Sequence, residues 1–135
     1  MSSFTNPLVT EDLNDGTFKV VQSFTYFVGK EDSHISITVP EGFIFDCFSI
    51  PFFVRWLLPK VQKRGNQSAA LHDWLYEWKG ILPEGSFTGK GVYTREECDA
   101  IFKEALEVQN VNWIKRNTMH KAVRAGGWIP WNKKD

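Results

Sequence analysis

The sequence predicts an α+β domain, with a small N-terminal antiparallel sheet of about three strands followed by three to four C-terminal helices. Three observations lead there. β-branched and aromatic runs, one with strict two-residue alternation, fill residues 17–46. Helical spacing and capping signals fill residues 68–124. Hydrophobic residues make up 42% of the chain, with 6 Trp and 11 Phe, which is the apolar area a compact core requires. Strands grouped before helices argue against a parallel sheet of repeated strand-helix-strand units. At 135 residues the chain is expected to form one domain over 1–135, burying about two thirds of its unfolded surface.

Taken in order, residues 1–16 hold Asn6-Pro7 and Asn14-Asp15-Gly16, turn formers that predict an irregular N-terminal arm closing in a turn. Residues 17–29, "TFKVVQSFTYFVG", predict a first strand. In "SHISITVP", Ile35, Ile37 and Val39 alternate with His34, Ser36 and Thr38, the pattern of a half-buried second strand that Pro40 ends. After the Glu41-Gly42 turn, "FIFD" predicts a short third strand. Ser49 can cap a short helix through "FFVRWLLP", since Pro51 in a first turn loses no intrahelical donor. Residues 60–67 are polar and read as a loop.

The stretch "SAALHDWLYEWKG", 68–80, predicts an amphipathic helix. At 100° per residue, Ala70, Leu71, Trp74, Leu75 and Trp78 cover one broad side, and His72, Asp73, Tyr76, Glu77 and Lys79 share the other, which is expected to face solvent. "GILPEGSFTGKGVY" holds four glycines and a proline and predicts an exposed loop. Thr94 with Glu97 three residues later is capping-box spacing, and apolar residues follow at 98, 101, 102, 105 and 106. A last helix is expected from Val111 to Arg124, stopping at Gly126-Gly127, with Lys121 and Arg124 near its negative dipole end. The tail 126–135 carries Trp128, Pro130 and Trp131, expected to fold back on the core, with anchoring to a partner as the alternative.

Lys plus Arg equal Asp plus Glu at 16 each, so no net field gathers phosphates, and nucleic acid is not an expected partner. The late basic bias reads as a solvated helix face. Cys47 and Cys98 are too few for a disulfide framework and fit a reducing compartment. No stretch reads as a secretory signal and no apolar run reaches the roughly 20 residues of a membrane span, so a soluble protein is expected.

His72 and Tyr76, four apart, lie stacked on one side of their helix, and Asp99 sits on the flank of the apolar stripe in the capped helix. If the two helices pack together, Asp99 can accept the ring N–H of His72, fixing its tautomer and raising its basicity. Asp73 would then be left to coordinate a hard cation. Ser49 with His72 and Asp99 would compose a hydrolase triad, but no nucleophile elbow surrounds it, and a turn or cap residue is the expected role. Zinc on His72, His120 and the aspartates is the lesser metal expectation, because no two-histidine helix motif accompanies them.

"HDWLY", followed after a glycine-rich loop by "CDAIF", resembles the H-D-x-x-Y and (C/A)-D-x-x-F helices of calcium-dependent phospholipases A2. The resemblance covers about 35 residues. It implies that His72 activates water, Asp99 orients it, Tyr76 supports the pair and Asp73 holds calcium. The glycine-rich calcium loop of those enzymes has no counterpart, since no glycine falls between Gly42 and Gly65, so Asp46 is the candidate second ligand beside Asp73. A broader resemblance spans "FIFDCFSIP", "LHDWLY", "TREECDAIFKEAL" and "KAVRAGGW". Those blocks, in that order, resemble a phage-encoded domain-of-unknown-function family, DUF1353, with Cys47 and Phe48 where small residues are usual. It implies phage origin, residence in the host cytoplasm during infection or in the virion, and other virion proteins as partners.

Two functions follow as expectations. One is a non-catalytic virion-associated or assembly protein, in which the His/Asp cluster is a buried polar lock between helices. The other is a hydrolase of lipid or cell-wall polymer built on His72 and Asp99, cation-assisted at Asp73 and Asp46.

Overall fold

The computed structural model of the protein describes residues 3–29, 34–46 and 66–133. The short helix expected near 51–59, and with it Ser49, Cys47, Phe52, Phe53 and Trp56, lies outside the described residues, as does most of the loop at 60–67.

The architecture is α+β, with strands mostly early and helices late. Among the described residues, seven short strands precede or punctuate four helices: β1 (Ser3–Phe4), β2 (Thr10–Asp12), β3 (Phe18–Val20), β4 (Phe24–Phe27), β5 (Ser36–Val39), β6 (Ile44–Phe45), α1 (Asn66–Glu77), β7 (Phe87–Thr88), α2 (Arg95–Val108), α3 (Trp113–Gly126) and α4 (Trp128–Lys133). They form two antiparallel sheets where one was expected, ordered β1-β4-β5-β7 and β2-β3-β6. The single strand read over 17–29 is in fact two strands in different sheets. Val20 and Phe24 are both buried, while Val21, Gln22 and Ser23 between them are exposed, so the chain turns outward and changes sheet. Val20 belongs to the β2-β3-β6 sheet and Phe24 opposes Val39 in the other.

The N-terminal arm is correspondingly not irregular throughout. Phe4 pairs with Tyr26 in β4, and Thr10 with Val20 in β3. The alternation read in β5 holds for Ile37 and Val39, both fully buried, and Ser36 is also covered because its hydroxyl bonds Thr88 Oγ1 at 2.8 Å. That contact comes from β7, which lies inside the segment expected to be exposed loop. Residues 80–93 instead double back, with an Ile81–Val92 bridge and Leu82 and Tyr93 buried. Gly80 makes the return possible: at φ +77° its missing Cβ would stand 1.9 Å from the Tyr93 carbonyl oxygen.

α2 starts where its capping chemistry placed it, whereas α1 and α3 are displaced by about two residues from the stretches expected and a short helix, α4, occupies the expected tail. Thr94 Oγ1 accepts from the Glu97 amide and a Glu97 carboxylate oxygen accepts from the Thr94 amide, the reciprocal box read in the sequence. The Asn112 side chain accepts from the Lys115 amide and starts α3. α2 packs between α1 and α3. One core joins α1, including Leu71, Trp74 and Leu75, to Val20, Phe24, Tyr26, Ile37 and Val39 of the sheets, and a second joins Ala69, Phe102, Leu106, Met119 and Val123 across three helices. No helix among the described residues is long and apolar enough to cross a membrane.

Candidate functional site

Most of the polar side of α1 does not face solvent, although Glu77 at its end does. His72 and Tyr76 are essentially fully buried and Asp73 is 7% exposed, whereas Trp78, assigned to the apolar side, is 42% exposed. α1 is packed by the sheets on its apolar side and by α2 and α4 beside it.

Asp99 is the hub. Its carboxylate, with no exposed surface, receives His72 Nε2 on Oδ1 at 2.7 Å and the Tyr76 hydroxyl on the same oxygen at 2.6 Å. Oδ2 accepts from Arg124 Nη1 at 2.8 Å, and Arg95 Nη1, one turn earlier on α2, stands 3.5 Å away. One carboxylate thus ties α1, α2 and α3 together. Burial alone would raise the pKa of Asp99, but the hydrogen bond and charge of His72, with the bonds from Tyr76 and Arg124, outweigh it and hold the carboxyl below its ordinary range. An ionised carboxylate only accepts, so Nε2 carries the hydrogen and the tautomer of His72 is fixed. Burial, then the Asp99 charge, pushes the Tyr76 phenol well above its usual range, so it stays a donor.

Packing seals this polar knot. The His72 ring lies between Tyr76 and Phe102, with centroids at 4.3 Å and 4.6 Å. Trp131 of α4 meets the Tyr76 ring edge-on at 5.0 Å, so the tail does fold back, through Trp131 and the buried Pro130, while Trp128 and Ile129 remain outside. Arg95 also donates to the carbonyls of Val123 and Arg124 at 3.0 and 3.2 Å near the end of α3, the former an oxygen that also accepts from the Gly127 amide.

Gly127 is a structural requirement of the site. Its φ of −68° is ordinary helix, so no conformational freedom is needed there. A Cβ, however, would sit 2.4 Å from the Val123 oxygen, 2.5 Å from the Tyr76 hydroxyl and 3.1 Å from Arg95 Nη1.

Of the residues singled out in the sequence, His72, Tyr76 and Asp99 are brought together. Asp73 lies on the same helix, buried, and Asp46 is exposed after β6. Among the described residues no three His, Cys, Asp or Glu side chains assemble into a group able to hold a metal ion. His120 is half-buried, and burial and then Lys103 lower its pKa. Cys98, beside Asp99, has its thiol pushed up by burial, which leaves it unreactive. Arg95, Arg124 and Gly127 were missed as site residues. Arg95 was accessible in principle, because it lies four positions before Asp99 on a helix. Arg124 was read only as a dipole partner and Gly127 only as a helix stop.

Fold and site together describe a small α+β domain in which a carboxylate on one helix is clamped by a histidine and a tyrosine of a second and an arginine of a third. Residues 18–123 match the model of a family described as "Protein of unknown function (DUF1353)", and the chain belongs to that family. No curated protein and no solved structure matches it.

Proposed function

We propose that this is a small non-catalytic accessory or assembly protein of phage origin, associated with the virion, whose His72-Asp99-Tyr76-Arg124 cluster is a polar lock setting the register of three helices. The single observation that supports this most is that the His72 and Asp99 side chains both have no exposed surface. A carboxylate offers about four acceptor directions, and here two donors occupy one oxygen while two guanidiniums crowd the other. Satisfied networks of this kind make a core unique, whereas a half-satisfied one would be costly. In this reading the protein resides in the host cytoplasm during infection and then in the particle. Mass spectrometry of purified particles of the encoding phage tests the location: the chain at fixed copy number is expected, and its complete absence contradicts the assignment.

The 2.7 Å bond from His72 to Asp99, steadied by Tyr76, favours a second reading as a hydrolase similar to phospholipases A2. A carboxylate-oriented imidazole is what a general base needs. Then His72 would take a proton from water attacking an ester or amide carbonyl of lipid or cell-wall polymer, and Asp99 would stabilise the imidazolium. Assays with phospholipid vesicles and with peptidoglycan, each with added calcium or zinc, separate the two. Turnover abolished in a folded His72→Ala protein establishes the hydrolase, and no turnover by the unaltered chain leaves the lock.

A further inference from the structure

Side chains along the seam between α2 and α3 form a ladder. Its outer rungs are ion pairs: Glu107 stands 3.9 Å from Arg116, and Asp99 stands 2.8 Å from Arg124. Positions two turns apart on α2 thus meet positions two turns apart on α3 in the opposite order, as antiparallel helices require. Midway between the two pairs, one turn from each, Lys103 of α2 falls opposite His120 of α3.

That middle rung has no acid. Lys103 is half-buried, and the carboxylates one turn to either side of it, Asp99 and Glu107, are both engaged by arginines. Among the described residues no carboxylate lies within ion-pair reach of Lys103, and α3 contains no Asp or Glu over its whole length. His120 is half-buried as well, close enough to Lys103 that the lysine charge, after burial, is the main influence holding its pKa down. Of the five N–H groups of a guanidinium, Arg124 uses one, on Asp99, and the others have no acceptor among the described residues.

Along the seam Arg95, Lys103, Arg116 and Arg124 therefore face only Asp99 and Glu107. A fully exposed lysine would dissipate such an excess in water, but half-burial withholds part of that hydration. Nor can the rung simply spread apart. Phe102 and Met119, the neighbours of Lys103 and His120 in the chain, are locked together in the second core.

We infer that the middle rung of the α2–α3 seam, formed by Lys103 and His120 beside the unspent N–H groups of Arg124, is a binding site for a small phosphate-class oxyanion. The donor set selects the ligand. It offers an ammonium, an imidazole and a guanidinium from two helices, with no acceptor of its own to satisfy them. A phosphate group brings three or more acceptor oxygens and a charge of about −1.5 to −2, which matches the local excess, whereas a carboxylate brings two oxygens and one charge. Asp99 enters only as the counter-ion of Arg124, so the inference holds whether the His72-Asp99 cluster is a lock or a base.

Amide NMR titration of the full chain at pH 7 tests it, with inorganic phosphate in one arm, glycerol phosphate in a second and sodium chloride of equal ionic strength as the control. Saturable shifts clustered in residues 99–107 and 116–124 are expected with phosphate and absent with chloride. Comparable binding of the two phosphates assigns free phosphate as the ligand, and tighter binding of glycerol phosphate assigns an ester. Lys103→Met keeps the aliphatic stem and removes the charge, and is expected to weaken binding roughly 10-fold, the factor carried by one hydrogen bond to a charged group. Lys121→Met, at an exposed lysine of α3, is expected to leave it unchanged. Shifts no larger than those with chloride, a Lys103→Met protein that binds as well as the parent, or an equal loss in Lys121→Met would each overturn the proposal.

Discussion

Replacing Asp99 by Asn keeps the shape of the hub and removes its charge, which makes Asp99→Asn the sharpest probe of what the cluster does. Two guanidiniums, at 2.8 and 3.5 Å, would lose their counter-ion. The Asn amide would also turn one acceptor into a donor, facing either the His72 and Tyr76 donors or the arginines. Removing one partner from a buried ion pair costs roughly 3 to 5 kcal/mol. Arg124 is about one-third exposed and recovers some hydration, so the lower end, about 3 kcal/mol, is the appropriate figure. Against a typical stability of about 5–15 kcal/mol this is a large fraction. Urea denaturation followed by circular dichroism measures it.

The pH dependence supplies the sign. Asp99 has a folded pKa below its unfolded value, so its contribution is complete above roughly pH 4 and disappears as the pH falls through the lower folded value. The gap between parent and variant is therefore expected to be widest at neutral pH and to close as acid protonates the parent. A difference under about 0.5 kcal/mol at pH 7, or one that stays constant down to pH 2.5, would refute the electrostatic account.

Three further outcomes follow from the same geometry. Gly127→Ala is expected to destabilise by roughly 1 to 3 kcal/mol, since the new methyl collides with the Val123 oxygen and the Tyr76 hydroxyl, although in an unobstructed helix the change would stabilise by about 0.5 to 1 kcal/mol; thermal melts give the sign. Tyr76→Phe removes a donor to a charged acceptor and should cost about 1.5 to 3 kcal/mol by the same urea assay, with the ring contact to Trp131 retained. Thr94→Ala should cost about 1 kcal/mol through the lost cap of α2, and amide exchange at the first turn of that helix should quicken.

The parts of the fold legible in the sequence were those set by neighbours a few residues away. Thr94 and Glu97 specify the start of α2 because cap and box act within one turn, and Ile37 and Val39 identify β5 because alternation is local. The parts that were not legible are set at long range. Nothing near Val21 says that the strands on either side of it join different sheets, since that depends on pairing with Thr10 and with Val39. The site divides the same way. The meeting of His72, Tyr76 and Asp99 was anticipated from one helix side and one stripe flank. That His72 would be sealed was not, because its cover comes partly from Phe102 and, through Tyr76, from Trp131, 59 positions beyond His72 in the sequence. Arg124 illustrates the limit most clearly, for it reaches Asp99 across 25 positions, and only the packing of α3 on α2 reveals why it is there.

The central claim is that one imidazole–carboxylate contact couples α1 to α2. A double-mutant cycle of His72→Ala and Asp99→Ala, measured by urea denaturation at pH 7, addresses it most directly. Each single change is expected to destabilise, and the pair to show a coupling of roughly 1 to 3 kcal/mol, the two losses failing to add. Strict additivity, with a coupling near zero, would mean that the two side chains merely lie side by side and that the helices are held by packing alone.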